Sequence, residues 1–369
     1  MNSYVHNELN KVKISTIPNK NITNIGKKLF KSTKAKNKFL LIIIILLLIF
    51  LINKKRFDKD NNKFFFFEYN QEELKYCQNY GILIYDYYYN GNCLSNRANI
   101  GDYIQSLAAL QYLPKNCKPY FIDRDSIQYY HGPKVKLIMN GWHSIKEGNK
   151  YVSTQIIPFF LSYHLAKSEY LSSLYIENLK KFSPIGCRDL NTRDKLNKYG
   201  INSYFSSCLT TTLDIDFLSP ENRRSNDIIF IDYKFGQLRK VDEFLLSLNK
   251  YNFKNVIYIN HKFNLELTHI ERFKLAKSLL EKYSKAKLVI TTRIHGALPC
   301  LAFHTPVILI NKIYDYYRFP GIYELLNTIG INYNKKFEIR VNINDNGFVY
   351  NSNKFLDYSD KLKKEFQNF

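Results

Sequence analysis

The sequence predicts two doubly wound α/β domains behind one short apolar segment. Short β-branched runs alternate with helical patterns from Gly81 to Ile310, as in parallel sheets joined by crossover helices. The chain has 369 residues, enough for a leader and two domains of roughly 150 residues each. Several of the apolar runs end on Asp, Asn or Arg, the polar carboxyl ends at which open α/β sheets bind ligands.

Residues 1–38 are polar and rich in Lys and Asn, the composition of a disordered tail. Residues 39–52 form an uninterrupted apolar run, FLLIIIILLLIFLI. As a helix they span about 21 Å, short of the usual ~20-residue crossing. Lys36 and Lys38 precede the run, and Lys54, Lys55 and Arg56 follow it. Such side chains snorkel and extend the effective span, so the run reads as a transmembrane signal anchor. Lys-Lys-Arg stands where a cleaved signal peptide needs small residues. The tail carries nine Lys against the single acid Glu8, which predicts a cytoplasmic N-terminus. The expected layout is a single-pass type II membrane protein facing the lumen of the ER or Golgi, or set in a viral or host membrane. The chain after residue 53 has no Asn-x-Ser/Thr acceptor site, which weighs against passage through a glycosylating compartment.

Residues 53–76 read as a stalk. The first domain is expected over residues 77–220. Gly81–Tyr85 is its first strand, and a helix from Tyr103 to Leu113 stops at Pro114. Pro119–Ile122 and Val135–Met139 are strands, the latter ending at Asn140-Gly-Trp142, and Pro184–Cys187 is another. Asn191–Tyr199 is a helix closed by Gly200, and Leu209-Thr-Thr-Thr-Leu213 looks like further strand. The second domain is expected over residues 221–369, with strands at Asp227–Ile231, Asn255–Ile259 and Lys287–Thr291 and helices at Val241–Leu248 and Glu271–Tyr283. A terminal helix at Phe355–Phe366 is expected to pack back on the first domain.

Composition narrows the function classes. Net charge is +22, with 42 Lys among 54 basic residues. No zinc-finger spacing, RNP-like aromatic motif or basic zipper accompanies it, so nucleic acid is not an expected partner. Membrane surfaces and anionic small substrates suit the charge better. Six cysteines form no CxxC pair. Cys187, Cys208 and Cys300 sit in apolar contexts, while Cys77, Cys93 and Cys117 can supply one disulfide whose pairing stays open. Two DxD patterns, Asp123-Arg-Asp125 and Asp214-Ile-Asp216, are too common by chance to predict a metal, and no metal ligand is assigned. GxGxxG, the P-loop and GxSxG are absent.

The chemistry-bearing stretch is Thr291-Thr-Arg-Ile-His-Gly296. It places the fixed cation Arg293 and the imidazole of His295 at a strand end, with Gly296 opening a helix of small residues. Asn99-Ile-Gly-Asp102 is a second anion-binding candidate: Gly101 allows close approach at a helix N-terminus, and Asp102 is expected as the cap. Arg188, followed by Asp189, stands at another strand end with a guanidinium suited to carboxylate or phosphate. Asn140 and Gly141 are expected to line the same cleft. His143, His164 and His304 read as structural, while His261, just past the Val256–Ile259 run, is a candidate for a cleft position.

Taken in order, four segments resemble the polysaccharide pyruvyl transferase family over roughly residues 80–330: Asn99-Ile-Gly-Asp102, Met139-Asn-Gly-Trp142, Gly186-Cys-Arg-Asp189 with the stretch to Thr210, and Thr292-Arg-Ile-His-Gly-Ala-Leu-Pro-Cys300. The resemblance implies a GT-B-like pair of Rossmann-like domains. It implies transfer of a pyruvyl group from phosphoenolpyruvate, as donor substrate and without a further cofactor, to two hydroxyls of a glycan acceptor. Arg188, Arg293 and His295 match the positions implied for donor binding and chemistry. Two other readings use the same scaffold: a glycosyltransferase taking a nucleotide sugar, and a catalytically silent glycan-binding protein.

Overall fold

A computed structural model describes residues 66–68, 74–89, 92–93, 98–115, 117–143, 151–166, 171–214, 224–311, 319–332 and 335–366. All of them belong to one unit, Lys63–Phe369. The tail at 1–38, the anchor at 39–52 and most of the stalk lie outside the described residues. Among those described, no helix is long and apolar enough to cross a membrane.

The N-terminal half runs β1 (Tyr76–Ile84), β2 (Tyr88–Tyr89), β3 (Asn92–Cys93), α1 (Ile100–Leu110), β4 (Lys118–Asp123), β5 (Val135–Ile138), β6 (Gly141–His143), β7 (Ile156–Phe159), β8 (Tyr163–Leu165), α2 (Ser173–Lys180), β9 (Ile185–Cys187), α3 (Leu190–Lys198) and β10 (Ser203–Phe205). The C-terminal half runs β11 (Ile228–Ile231), α4 (Arg239–Ser247), β12 (Val256–Ile259), α5 (His269–Lys285), β13 (Leu288–Thr291), α6 (Ile294–Ala302), β14 (Val307–Asn311), β15 (Asn327–Ile331), β16 (Phe337–Arg340) and α7 (Phe355–Glu365).

The second half matches the expected doubly wound sheet. Its order is β12-β11-β13-β14-β15-β16, parallel except for the last pair. After β12 the chain crosses to the other side of β11, so the order reverses between β11 and β13. That reversal opens a crevice at the carboxyl ends of these two strands.

The first half departs from one plain sheet. It holds two parallel four-stranded sheets, β4-β1-β5-β7 and β10-β9-β8-β6. β5 and β7 break and continue as β6 and β8. Gly141 (φ +112°) and Ser162 (φ +58°) turn the backbone at the two breaks. Across the join, Met139 N–H still donates to the Phe159 carbonyl at 2.8 Å. The strand ends before Asn140-Gly-Trp142, as expected, but the chain at once enters a new strand at Gly141. In the first sheet the order reverses between β1 and β5, which places a second crevice beside the N-terminus of α1.

Other local expectations also change. Leu209–Thr212 is a 3₁₀ turn, not strand. Thr211 Oγ1 donates to the Cys208 carbonyl at 2.7 Å and Thr212 Oγ1 to the Leu209 carbonyl at 2.8 Å. Those bonds to the preceding turn outweigh the β preference of three threonines. α5 starts at a full capping box, Thr268 with Glu271.

One apolar core runs from Ile82, Leu107 and Leu161 in the first half to Ile231, Phe273 and Leu298 in the second. A smaller core on the far face of the second sheet includes Phe230, Ile290 and Ile310. α7 returns to the N-terminal half: Ser359 Oγ donates to the Thr211 carbonyl at 3.1 Å, Tyr358 meets Phe205 edge-on, and Phe366 stacks on Tyr112 at 3.8 Å. Cys77 and Cys117 form a disulfide between the starts of β1 and β4, with Cα atoms 4.9 Å apart.

Candidate active site

The candidate site lies where the starts of α1 and α6 approach each other. α1 begins at Ile100, earlier than expected. The cap is Asn99, not Asp102: Asn99 Oδ1 accepts the Gly101 N–H at 3.0 Å, a bond that recruits Gly101 and Asp102 into the first helical turn. From the other half, α6 begins at Ile294, so His295 lies in its first turn and not on a strand-end loop. A Cβ on Gly101 would stand 3.1 Å from both Cβ and Nδ1 of His295. Glycine leaves room for this approach, where a Cβ would make the ring give by a few tenths of an ångström. Nearby, Ile100 N–H donates to the His261 carbonyl at 2.8 Å, joining the halves through backbone as well.

Burial governs the acidic side of the site. Asp102 is buried, and desolvation raises its carboxyl above the usual range, opposed first by Arg124 and then by the Tyr87 hydroxyl and Arg188. Tyr87 donates to Asp102 Oδ2 at 3.0 Å, and Arg124 Nη1 lies 3.7 Å from the same oxygen. Arg124 sits 4.8 Å from the ring centre of Tyr85 and 5.5 Å from that of Trp142, aromatic faces that favour a desolvated cation. Gln105 Nε2 donates to Asp102 Oδ1 at 3.3 Å.

Arg188 follows β9 and is fully buried, with Nε 4.0 Å from Asp189 Oδ2. Asp189 caps α3 by accepting the Thr192 N–H at 2.9 Å. Its Oδ2 also meets His164 Nδ1 at 2.5 Å. Burial alone would raise the Asp189 carboxyl, but His164 and then Arg188 outweigh it and hold the group below its ordinary value. Asn140 is drawn toward α1, with Nδ2 donating to the Gln105 carbonyl at 2.7 Å. A Cβ on Gly141 would lie 3.3 Å from Gln105 Oε1.

Arg293 stands just past β13, and its Nε donates to Asp232 Oδ2, just past β11. The pair bridges the crevice between those strands. Gly296 faces inward, where a Cβ would strike Thr291 Oγ1 at 2.8 Å and Ile231 Cδ1 at 2.9 Å. Its hydrogen lets α6 lie close on the sheet. The Asp123-Arg-Asp125 carboxylates are occupied: Arg124 Nε reaches Asp125 at 3.1 Å, and Asp123 takes the Asp86 N–H at 3.1 Å and the Ser126 hydroxyl at 2.8 Å. Asp216 lies outside the described residues.

Sequence reasoning missed Asp232, Arg124 and Tyr87. Asp232 carried a usable signal, since it directly follows the Ile228–Ile231 run. Arg124 was hidden between the acids of a pattern read for its carboxylates.

His261 is buried below this crevice, its Nε2 2.8 Å from the Tyr283 hydroxyl. Burial lowers its pKa from 6.5 to about 4, with Asp232 opposing the shift and Arg293 adding to it. Between about pH 6.5 and 4 the unfolded chain therefore takes up a proton that the folded protein excludes. Stability from this residue is complete above the unfolded value and is lost as pH falls toward 4, by on the order of 3 kcal/mol. Urea unfolding at pH 7 and pH 4.5 should show a smaller acid loss for His261→Gln than for the wild type. Equal losses would refute the assignment.

No curated protein matches the chain. Among solved structures, a functionally uncharacterised protein from Klebsiella pneumoniae subsp. pneumoniae is similar, with 16% identity, a TM-score of 0.41, and coverage of 68% of this chain and 93% of that one. The profile of the polysaccharide pyruvyl transferase family matches residues 99–311, from the Asn99 cap to the end of β14. That match takes in more than half of the 369 residues and every site residue predicted above, and on it the chain belongs to the polysaccharide pyruvyl transferase family, a family of transferases.

Proposed function

We propose that this protein transfers the pyruvyl group of phosphoenolpyruvate to two hydroxyls of a glycan sugar, forming a cyclic ketal. The observation that carries the proposal is the approach of His295, two residues after Arg293, to Gly101, which neighbours the buried Asp102. A donor with both a phosphate and a carboxylate suits separate guanidinium groups.

In the proposed reaction His295 gives a proton to the methylene carbon of the enol, and the adjacent carbon becomes oxocarbenium-like. One sugar hydroxyl adds there and returns its proton to His295. The C–O bond to phosphate then breaks, the departing phosphate carrying away that electron pair. The second hydroxyl closes the ring and releases its proton, which phosphate takes up at neutral pH. Asn99, Gly101, Asp102, Asn140, Gly141, Asp189 and Gly296 shape or support this cleft. The reading assigns no metal or cofactor.

The reading also sets the enzyme on a membrane through residues 39–52, with its active site in a lumen. The Cys77–Cys117 disulfide supports an oxidising compartment of that kind.

The full chain, incubated with phosphoenolpyruvate and a glycan panel, should release phosphate and yield a product heavier by one pyruvate ketal. Turnover of a nucleotide sugar instead would assign the chain to glycosyl transfer. Glycan binding with no donor turned over would refute the enzymatic reading.

A further inference from the structure

Asp232 holds a left-handed backbone, φ +52°, immediately after β11. A non-glycine residue in that region persists only where its surroundings determine it. Here the determinants come from three strand ends. Asp232 N–H donates to the Ile259 carbonyl at 3.0 Å, at the end of β12. Asp232 Oδ1 accepts the His261 N–H at 3.2 Å. Its carbonyl accepts the Thr292 hydroxyl at 3.2 Å, and Oδ2 takes Arg293 Nε, both just past β13.

A guanidinium is a rigid planar fork with five N–H donors. Engaging Nε fixes that plane and leaves both terminal amino groups for a second, paired contact. Among the described residues no protein acceptor takes either terminal group of Arg293, and the side chain is 38% exposed at the crevice. A carboxylate on Nε and an anion on the terminal pair fit the fork together.

We propose that Asp232 is a positioning residue that orients Arg293 to grip one anionic group of the donor through its two terminal nitrogens. This rests on the phosphoenolpyruvate reading above. A lysine at 293 has one charged nitrogen and cannot serve both partners in this geometry.

The test is a double-mutant cycle read by calorimetric titration of the full chain with phosphoenolpyruvate. Asp232→Asn suits the cycle because Asn tolerates a left-handed backbone and keeps an oxygen for the His261 N–H. It should weaken donor binding about tenfold, as for loss of one charge-assisted hydrogen bond. In an Arg293→Ala background it should add nothing. Donor KM should rise while acceptor KM stays. Arg293→Lys should bind the donor nearly as weakly as Arg293→Ala, which checks the idea even where an Asp232 variant folds poorly. Equal losses from Asp232→Asn in both backgrounds, no loss in either, or full binding by Arg293→Lys would overturn the positioning role alone. A wild-type chain that binds no phosphoenolpyruvate would overturn the donor reading and this inference with it.

Discussion

His295→Ala should lower kcat for ketal formation by about 10²- to 10⁴-fold, the usual worth of a positioned general acid. Donor affinity should change far less, because the anionic groups fall to the arginines. His295 is buried in the first turn of α6, held by a helix seated on β13 and β14 and not by a mobile loop. Its ring lies against Gly101, so Gly101→Ala supplies a second route to the same result. The added methyl would stand 3.1 Å from Nδ1 and press on the ring without removing any titrating group. Both variants should melt close to the wild type. The pair is informative because the histidine and the glycine come from opposite halves. Wild-type kcat in well-folded His295→Ala would remove His295 from the chemistry.

Loss of the Cys77–Cys117 disulfide should cost about 4 kcal/mol of stability, the chain-entropy value for a closed loop of this size. The bridge spans 40 residues of sequence and encloses the first crossover, including the whole of α1. A Cys77→Ser, Cys117→Ser chain should therefore unfold at markedly lower urea concentration, and reductant should shift the wild type toward it. Cys187, Cys208 and Cys300 are buried and free. Their slow alkylation in the native state separates them from the bridge. An unchanged midpoint with and without reductant would count against any stabilising role for the disulfide.

The legible parts of the sequence were those where one local pattern meets one physical demand. The Lys287–Thr291 run read as a buried strand with Arg293 just past its polar end, and Leu288–Thr291 is such a strand. Arg188 behind Ile185–Cys187 was equally legible as a strand-end cation. What stayed hidden depended on contacts distant in sequence. The choice between Asn99 and Asp102 as cap turns on burial of Asp102 beneath Tyr87 and Arg124, both outside the helix. Asp232 had a strand-end position to mark it, but its partners lie 29 and 61 residues away. The broken strands at Gly141 and Ser162 needed the neighbouring sheet to reveal them, since a single glycine or serine does not announce a kink. Which of Cys77, Cys93 and Cys117 pair was likewise a matter of register between β1 and β4.

The return of α7 bears on how the protein comes to be made. Ser359, Tyr358 and Phe366 cover Thr211, Phe205 and Tyr112, residues synthesised long before them. A nascent N-terminal half emerging from the ribosome lacks this cover until residue 366 has been added. Its apolar faces stay open through synthesis of the entire second sheet, the interval in which exposed surface invites chaperones or aggregation. Folding of the first half is thus completed only after α7 has been made.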